Sequence, residues 1–116
     1  MQRIHYAGGE VVTGTAIAKE LMDLAEALAK HRTAESVEIP VRTASGALSR
    51  ATLLVGPASQ LVSEPLEADD GDELVDEHAV DELRRRVAAI TSRPVVGPPG
   101  LADPAGVEGE FDWPEA

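Results

Sequence analysis

The chain has 116 residues, of which 21 are Asp or Glu and 10 are Lys or Arg, so its formal net charge is −11 with the three histidines neutral. This acidity excludes a surface for nucleic acid or for anionic lipid headgroups, because both require clustered Lys and Arg. The length fits one domain, and the absence of cysteine excludes disulfides, thiolate metal sites and thiol nucleophiles.

The charge is unevenly distributed along the chain. Residues 1–62 hold six acids and six bases, residues 63–82 hold ten acids and no base, and residues 83–93 hold four arginines and no acid. Residues 94–116 add five acids and contain five of the eight prolines, a composition that favours a tail over a packed domain. We therefore predict a core over 1–63, an acidic linker over 64–75, an amphipathic helix over 76–93 packed on the core, and an extended or disordered acidic tail over 94–116.

The start of the chain predicts a β-hairpin followed by a helix. Gly8 and Gly9 separate two short β-prone runs, and a two-residue turn with positive φ at both positions favours glycine. From Thr15 to about His31, apolar residues recur every three or four positions, which predicts an amphipathic helix. Those apolar residues are Ile17, Leu21, Leu24 and Leu28. We expect Thr13 or Thr15 to cap the helix with its hydroxyl.

Two further strands and a second helix are predicted after this unit. Residues 37–42 alternate apolar and polar side chains, and residues 51–55 form a more apolar run. Pro40 lacks an amide hydrogen, which places the first of these strands at an edge or at a bulge. A fifth short strand over 60–63 is left open, and residues 76–92 carry the second helical pattern. The predicted class is α+β, a small antiparallel sheet in the order β-β-α-β-β-α with two helices packed on one face.

Chemical motifs are missing from the sequence. His5, His31 and His78 have no spacing that places two of them on one helix face. Residues 9–15 have the glycines of a phosphate-binding loop without its Lys, and residues 69–73 do not fit a calcium-binding loop. We therefore expect no catalytic residue, no metal and no cofactor, and we expect a non-enzymatic protein.

Two features of the second half favour protein binding. The acidic segment can attract a basic protein surface, and the tail places two of the three aromatic residues in a stretch otherwise poor in apolar residues. Aromatic side chains are preferred anchors at interfaces, although docking of the tail on its own domain and no role at all are equally open. The residues predicted to bind a partner are Phe111, Trp113, Asp69, Asp70, Asp72 and Glu73.

Two other functions are kept as alternatives. The first is a small-molecule binder or enzyme with a pocket between the Gly8–Gly9 turn and the loop over 56–60. Its ligand-binding residues would be His5, Tyr6, Gly8, Gly9 and Ser59. The second is an acidic mimic of nucleic acid, which would need its carboxylates along one rigid face, a requirement that Pro65 and Gly71 oppose.

The expected partner is a protein, which in the simplest case has a basic surface. Nucleic acid and membrane are not expected partners. A second copy pairing through a sheet edge is also open. The chain starts without the apolar stretch of a signal peptide, and its longest uncharged run, residues 51–63, is shorter than the roughly 18 residues of a membrane helix. We therefore expect a cytoplasmic protein.

Overall fold

The structure is a computed structural model, and it describes residues 1–66 and 73–93. In chain order its elements are β1 (Gln2–Tyr6), β2 (Gly9–Thr13), α1 (Thr15–Lys30), β3 (Glu35–Arg42), β4 (Leu48–Val55), β5 (Leu61–Pro65) and α2 (Glu77–Thr91). Within the described residues, neither helix is long and apolar enough to cross a membrane.

The five strands form one antiparallel sheet in the order β4-β3-β2-β1-β5. The predicted α+β class with two helices is therefore confirmed. The fifth strand, which the sequence left open, pairs with β1 over its whole length, so the element order is β-β-α-β-β-β-α. The predicted tail over 94–116 and the linker residues 67–72 lie outside the described residues.

The turn of the first hairpin lies one residue earlier than predicted. Tyr6 pairs with Gly9, so the turn residues are Ala7 and Gly8, with φ of 51° and 82°. Gly9 is the first residue of β2. Holding alanine in the left-handed region costs roughly 1 to 2 kcal/mol. The register that results sets Ile4 opposite Val11 on the face that packs in the core.

The core lies between one face of the sheet and the two helices. Alternate residues of β3 and β4 point inward, as a half-buried sheet requires, and the apolar stripes of both helices meet them. Its fully buried large side chains include Ile4, Ile17, Leu21, Leu24, Leu28, Val37, Ile39, Leu53, Val55 and Ile90. All four apolar residues predicted for the first helix are among them.

Only one residue pair joins the two halves of the sheet. β2 pairs with β3 at Val12 and Arg42 alone. Beside this pair, the fully buried Thr13 hydroxyl donates a hydrogen bond of 2.7 Å to the Pro40 carbonyl. β3 is therefore inside the sheet, so of the two positions expected for Pro40, an edge strand or a bulge, the edge strand is wrong. In an antiparallel strand, the N–H and C=O of one residue point to the same side. The Pro40 carbonyl faces β2, so the missing N–H also falls on the β2 side. The strand tolerates Pro40 because the ladder with β2 is already interrupted there.

The sheet is curled so that β4 approaches β1. The Tyr6 hydroxyl donates to the Leu54 carbonyl at 2.6 Å and accepts from the Leu54 amide at 3.1 Å, although two strands separate β1 from β4 in the sheet order. Residues 56–60 also connect the two outermost strands, which a flat sheet would hold roughly 19 Å apart. The weak β2–β3 junction permits this curl.

The arginines of α2 hold the helix against the rest of the domain. Arg84 Nε lies 3.0 Å from Glu20 Oε2 on α1, where Glu20 is buried. Arg86 binds Glu35 Oε1 on β3 at 2.6 Å. Arg85 pairs with Glu82 on its own helix at 2.6 Å. These three arginines are therefore paired charges and not a free basic patch.

We predict that Thr13→Val destabilises the fold by about 1 to 3 kcal/mol, because it leaves the buried Pro40 carbonyl without its donor while keeping the side-chain shape. Urea denaturation followed by circular dichroism measures the change. The matched control is Thr52→Val, which makes the same replacement at an exposed position of β4 and should leave the unfolding midpoint nearly unchanged. Equal midpoints for the two variants would contradict the role of the Thr13 hydroxyl.

Candidate functional site

A depression of about 700 Å³ lies where the ends of the curled sheet meet. The β1–β2 turn, the end of β4 and the loop over 56–60 form its walls, and Ala34 adds the start of β3. Its lining residues are His5, Tyr6, Ala7, Gly8, Ala34, Leu54, Gly56, Pro57, Ala58, Ser59, Gln60 and Val62. We call this feature the turn-loop depression.

The loop over 56–60 packs against Ala34, which lies between α1 and β3. A Cβ added to Gly56 would stand 2.8 Å from the Ala34 Cβ, so only glycine fits this approach. The Gly56 amide also donates to the Ser59 hydroxyl at 3.1 Å. These contacts set the wall of the depression that faces the β1–β2 turn.

Four of the five residues predicted for the pocket alternative line this depression. His5, Tyr6, Gly8 and Ser59 come from two distant segments of the chain and meet there. Gly9 does not line it, because the shifted turn places this residue in β2. The sequence reading missed Leu54, whose place in the wall depends on the curl of the sheet.

Both hydroxyls in the depression already have backbone partners. The Tyr6 hydroxyl is bound to both polar backbone groups of Leu54. The Ser59 hydroxyl accepts from the Gly56 amide and donates to the Leu54 carbonyl at 3.3 Å. Among residues 1–66 and 73–93, neither oxygen is hydrogen-bonded to a base that would activate it as a nucleophile. Their arrangement builds the wall of the depression and does not indicate a reaction.

His5 belongs to a charged cluster on the outer face of the sheet. Its Nε2 lies 3.3 Å from Glu64 Oε2 and its Nδ1 lies 3.8 Å from Glu10 Oε1. Arg3 approaches both carboxylates at 3.6 Å. All four side chains are at least one third exposed, so each pair contributes little stability. In residues 1–66 and 73–93, no group of three or more His, Asp or Glu is placed to hold a metal ion.

Large apolar side chains stand exposed beside the depression. Leu54 is 61% exposed and Val62 is 56% exposed, and both line it. Exposed apolar side chains that line one depression lose contact with water when a ligand covers them. The depression can therefore bury an apolar group by its shape. The side chains described above do not offer it a free catalytic group.

Glu73 is the only residue of the predicted partner-binding set that the structure describes. Phe111, Trp113, Asp69, Asp70 and Asp72 lie outside the described residues. The Glu73 carboxylate accepts from the Met1 ammonium at 2.7 Å and from the Thr15 amide at 2.6 Å. Its part in partner binding stays a prediction, and its contacts assign it a structural role.

Glu73 supplies the cap that α1 lacks. The N-cap residue is Gly14, which has no side chain to bond the first amides, and the Thr13 hydroxyl expected there is used by Pro40. Glycine is required because a Cβ on Gly14 would lie 1.8 Å from the Leu74 carbonyl oxygen. A carboxylate from 58 residues away therefore takes the capping position, and the Thr15 hydroxyl accepts from Met1 instead.

Comparisons with known proteins give no relationship: no family model, curated protein or solved structure matches this chain. The function therefore has to be argued from the geometry of the described residues.

The pH dependence of folding should report the Glu73 cap. The Met1 ammonium and the Thr15 amide lower the pKa of the Glu73 carboxyl from its ordinary 4.5 to about 2. A depressed pKa in the folded state gives stability that is present above pH 4.5 and is lost as the pH falls toward 2. We predict that Glu73→Gln lowers the free energy of unfolding at pH 7 by about 1 kcal/mol, the usual value of a cap after screening by solvent.

Urea titrations of both proteins between pH 7 and pH 2 measure this difference, which should shrink toward zero at the acid end. Glu26→Gln is the control, because Glu26 makes only an exposed pair with Lys30 on α1. A difference between wild type and Glu73→Gln that stays constant over this range would count against the ionised cap.

Proposed function

We propose that this protein is a non-enzymatic interaction module that binds a protein partner at the turn-loop depression. The single observation that carries the proposal is the combination found there: exposed Leu54 and Val62 beside a cavity whose two hydroxyls are already bonded to backbone. Such a surface gains free energy by burying an apolar side chain, at roughly 25 cal/mol per Å². Neither hydroxyl is free to bind a polar substrate.

The partner of this module is a protein segment that presents a large apolar side chain next to basic residues. The apolar side chain fits the lining formed by Leu54, Val62 and Pro57. The basic residues follow from the net charge of −11, which attracts a positive surface and raises the association rate at low salt. The acidic segment over 64–75 contributes to this long-range attraction.

The depression is preorganised for binding. Tyr6 and Ser59 tie the end of β4 to β1 and to the loop over 56–60, and Gly56 holds the loop against Ala34. A wall fixed by internal hydrogen bonds does not have to be ordered when the partner arrives, which reduces the entropic cost of association.

Selection of peptides from a random displayed library on the immobilised full chain tests this function. We expect the selected peptides to share a large apolar residue flanked by Lys or Arg. Their affinity for Leu54→Asp should be about tenfold weaker, which corresponds to roughly 1.4 kcal/mol, and should fall as the salt concentration rises.

Leu48→Asp provides the matched control for this selection. Leu48 lies on the same strand and the same face as Leu54 and is 67% exposed, but its six-residue separation places it roughly 20 Å away. Peptides should bind Leu48→Asp as they bind the wild type. Selected peptides that lose affinity equally for both variants, or for neither, would refute the depression as the binding site.

A second candidate function is binding of a small apolar molecule in the same depression. It is favoured by the meeting of His5, Tyr6, Gly8 and Ser59 at a cavity of about 700 Å³, which is within the roughly 300 to 1,000 Å³ of ligand pockets. The depression is open to solvent, so this candidate ranks below protein binding.

For the small-molecule candidate we predict a ligand-dependent rise in melting temperature, equivalent to about 2.7 kcal/mol at a ligand concentration 100 times Kd. A thermal-shift screen of metabolite-sized apolar compounds against the full chain measures it. The rise should vanish in Ala58→Phe, which fills the depression, and persist in Ala47→Phe, an exposed site in the β3–β4 turn. A screen without any such compound would eliminate this candidate.

A further inference from the structure

We infer that, when no partner is bound, the turn-loop depression is occupied by residues 110–114 of the same chain, with Trp113 as the side chain that enters it. The inference deepens the proposed function and rests on it, because it names the internal competitor of the partner at the same site. Three observations carry it: where the described chain ends, what lines the depression, and which charges lie at the contact between His31 and Arg93.

The described chain ends next to the depression. His31 Nε2 lies 3.3 Å from the carbonyl oxygen of Arg93, the last described residue. Ala34, which lines the depression, follows His31 by three residues, at most roughly 11 Å of extended chain. The route from the end of α2 to the depression is therefore short.

The intervening chain is long enough to reach the site. Twenty residues run from Pro94 to Trp113, and that number of residues can span at most roughly 70 Å. A tethered ligand on such a chain has an effective concentration on the order of millimolar. Even a weak aromatic contact is then populated within one molecule.

The chemistry of the segment matches the lining of the depression. Phe111 and Trp113 are two of the three aromatic residues in the chain, and they are the largest apolar side chains available to cover Leu54 and Val62. The third aromatic residue, Tyr6, forms part of the wall. An indole ring that lies against these residues buries apolar surface on both partners.

The charges at the end of the described chain complement the segment. Among residues 1–66 and 73–93, no carboxylate lies within 4.0 Å of the basic groups of Arg32 or Arg93. Both arginines adjoin the contact between His31 and the end of α2. Glu110 and Asp112 flank the aromatic residues of the segment and supply the acids that these arginines lack.

Occupancy by residues 110–114 regulates partner binding. A partner must displace Trp113, so its apparent affinity is reduced by the fraction of molecules in which the depression is free. A basic partner assists the exchange, because it also attracts Glu110 and Asp112 away from Arg32 and Arg93. The depression is thereby covered until a partner with the matching chemistry arrives.

Trp113 is the only tryptophan of the chain, so its fluorescence in the full-length protein reports this contact directly. We expect a blue-shifted emission and shielding from acrylamide in the wild type. In Leu54→Asp and in Val62→Asp, the emission should move toward that of exposed tryptophan and the quenching should rise. Leu48→Asp, on the same strand but away from the depression, should match the wild type. Circular dichroism confirms that each variant is folded.

Several results would overturn the inference. They are an exposed Trp113 in the folded wild type, a shielded Trp113 that responds neither to Leu54→Asp nor to Val62→Asp, and shielding that disappears on dilution, which would show docking between two copies.

A second measurement separates this inference from the proposed function. If the segment fills the depression in nine molecules of ten, the double variant Phe111→Ser/Trp113→Ser should bind the selected peptides about tenfold more tightly than the wild type. Peptides that bind both proteins equally would overturn internal competition and leave the proposed function intact. In the Phe111→Ser/Trp113→Ser background, where the segment no longer competes, peptide binding that is unchanged by an added Leu54→Asp would overturn the proposed function itself.

Discussion

The shape of this domain depends on the junction between β2 and β3, where a single residue pair and one buried side-chain hydrogen bond connect two hairpins. A full ladder would force neighbouring strands to stay aligned over several residues, and the two outer strands would then lie far apart. Here the ladder between β2 and β3 is interrupted next to Pro40, which has no amide hydrogen to donate to β2. The Thr13 hydroxyl replaces the missing backbone bonds at that point, so the sheet can curl around its core without leaving the Pro40 carbonyl unpaired.

The curl creates the turn-loop depression, and the groups that stabilise the curl determine its chemistry. The Tyr6 hydroxyl is bound to both polar groups of the Leu54 backbone, and Ser59 joins the loop to the same residue. Hydroxyls used in this way brace the walls and are not available as nucleophiles. What remains for a ligand is shape and apolar surface, which is the basis of the proposal that the site recognises a side chain rather than transforms a substrate.

Several charged side chains form ion pairs within the domain, which the net charge of −11 does not reveal. Three arginines of α2 are paired with carboxylates, and Glu73 is bound to the start of α1 and the Met1 ammonium. Charges that are paired within the domain contribute little to distant attraction, because the field of an ion pair falls off quickly and salt screens it further. Long-range attraction of the proposed partner would therefore depend on the acids that have no such internal partner.

The sequence alone determined the class of the fold, both helices and most strands, because these follow from local periodicity: Ile17, Leu21, Leu24 and Leu28 occupy one face of a helix in any context. It also predicted, as an alternative, a pocket shared by His5, Tyr6, Gly8, Gly9 and Ser59, because a turn and a loop hold these residues. The tertiary structure alone decided the hairpin register around Ala7, the cap from Glu73, the interior place of the strand that contains Pro40, and the entry of Leu54 into the depression. Each of these is set by contacts between residues far apart in the chain, whose free energy exceeds the local preference of a turn glycine, a capping threonine or a strand proline.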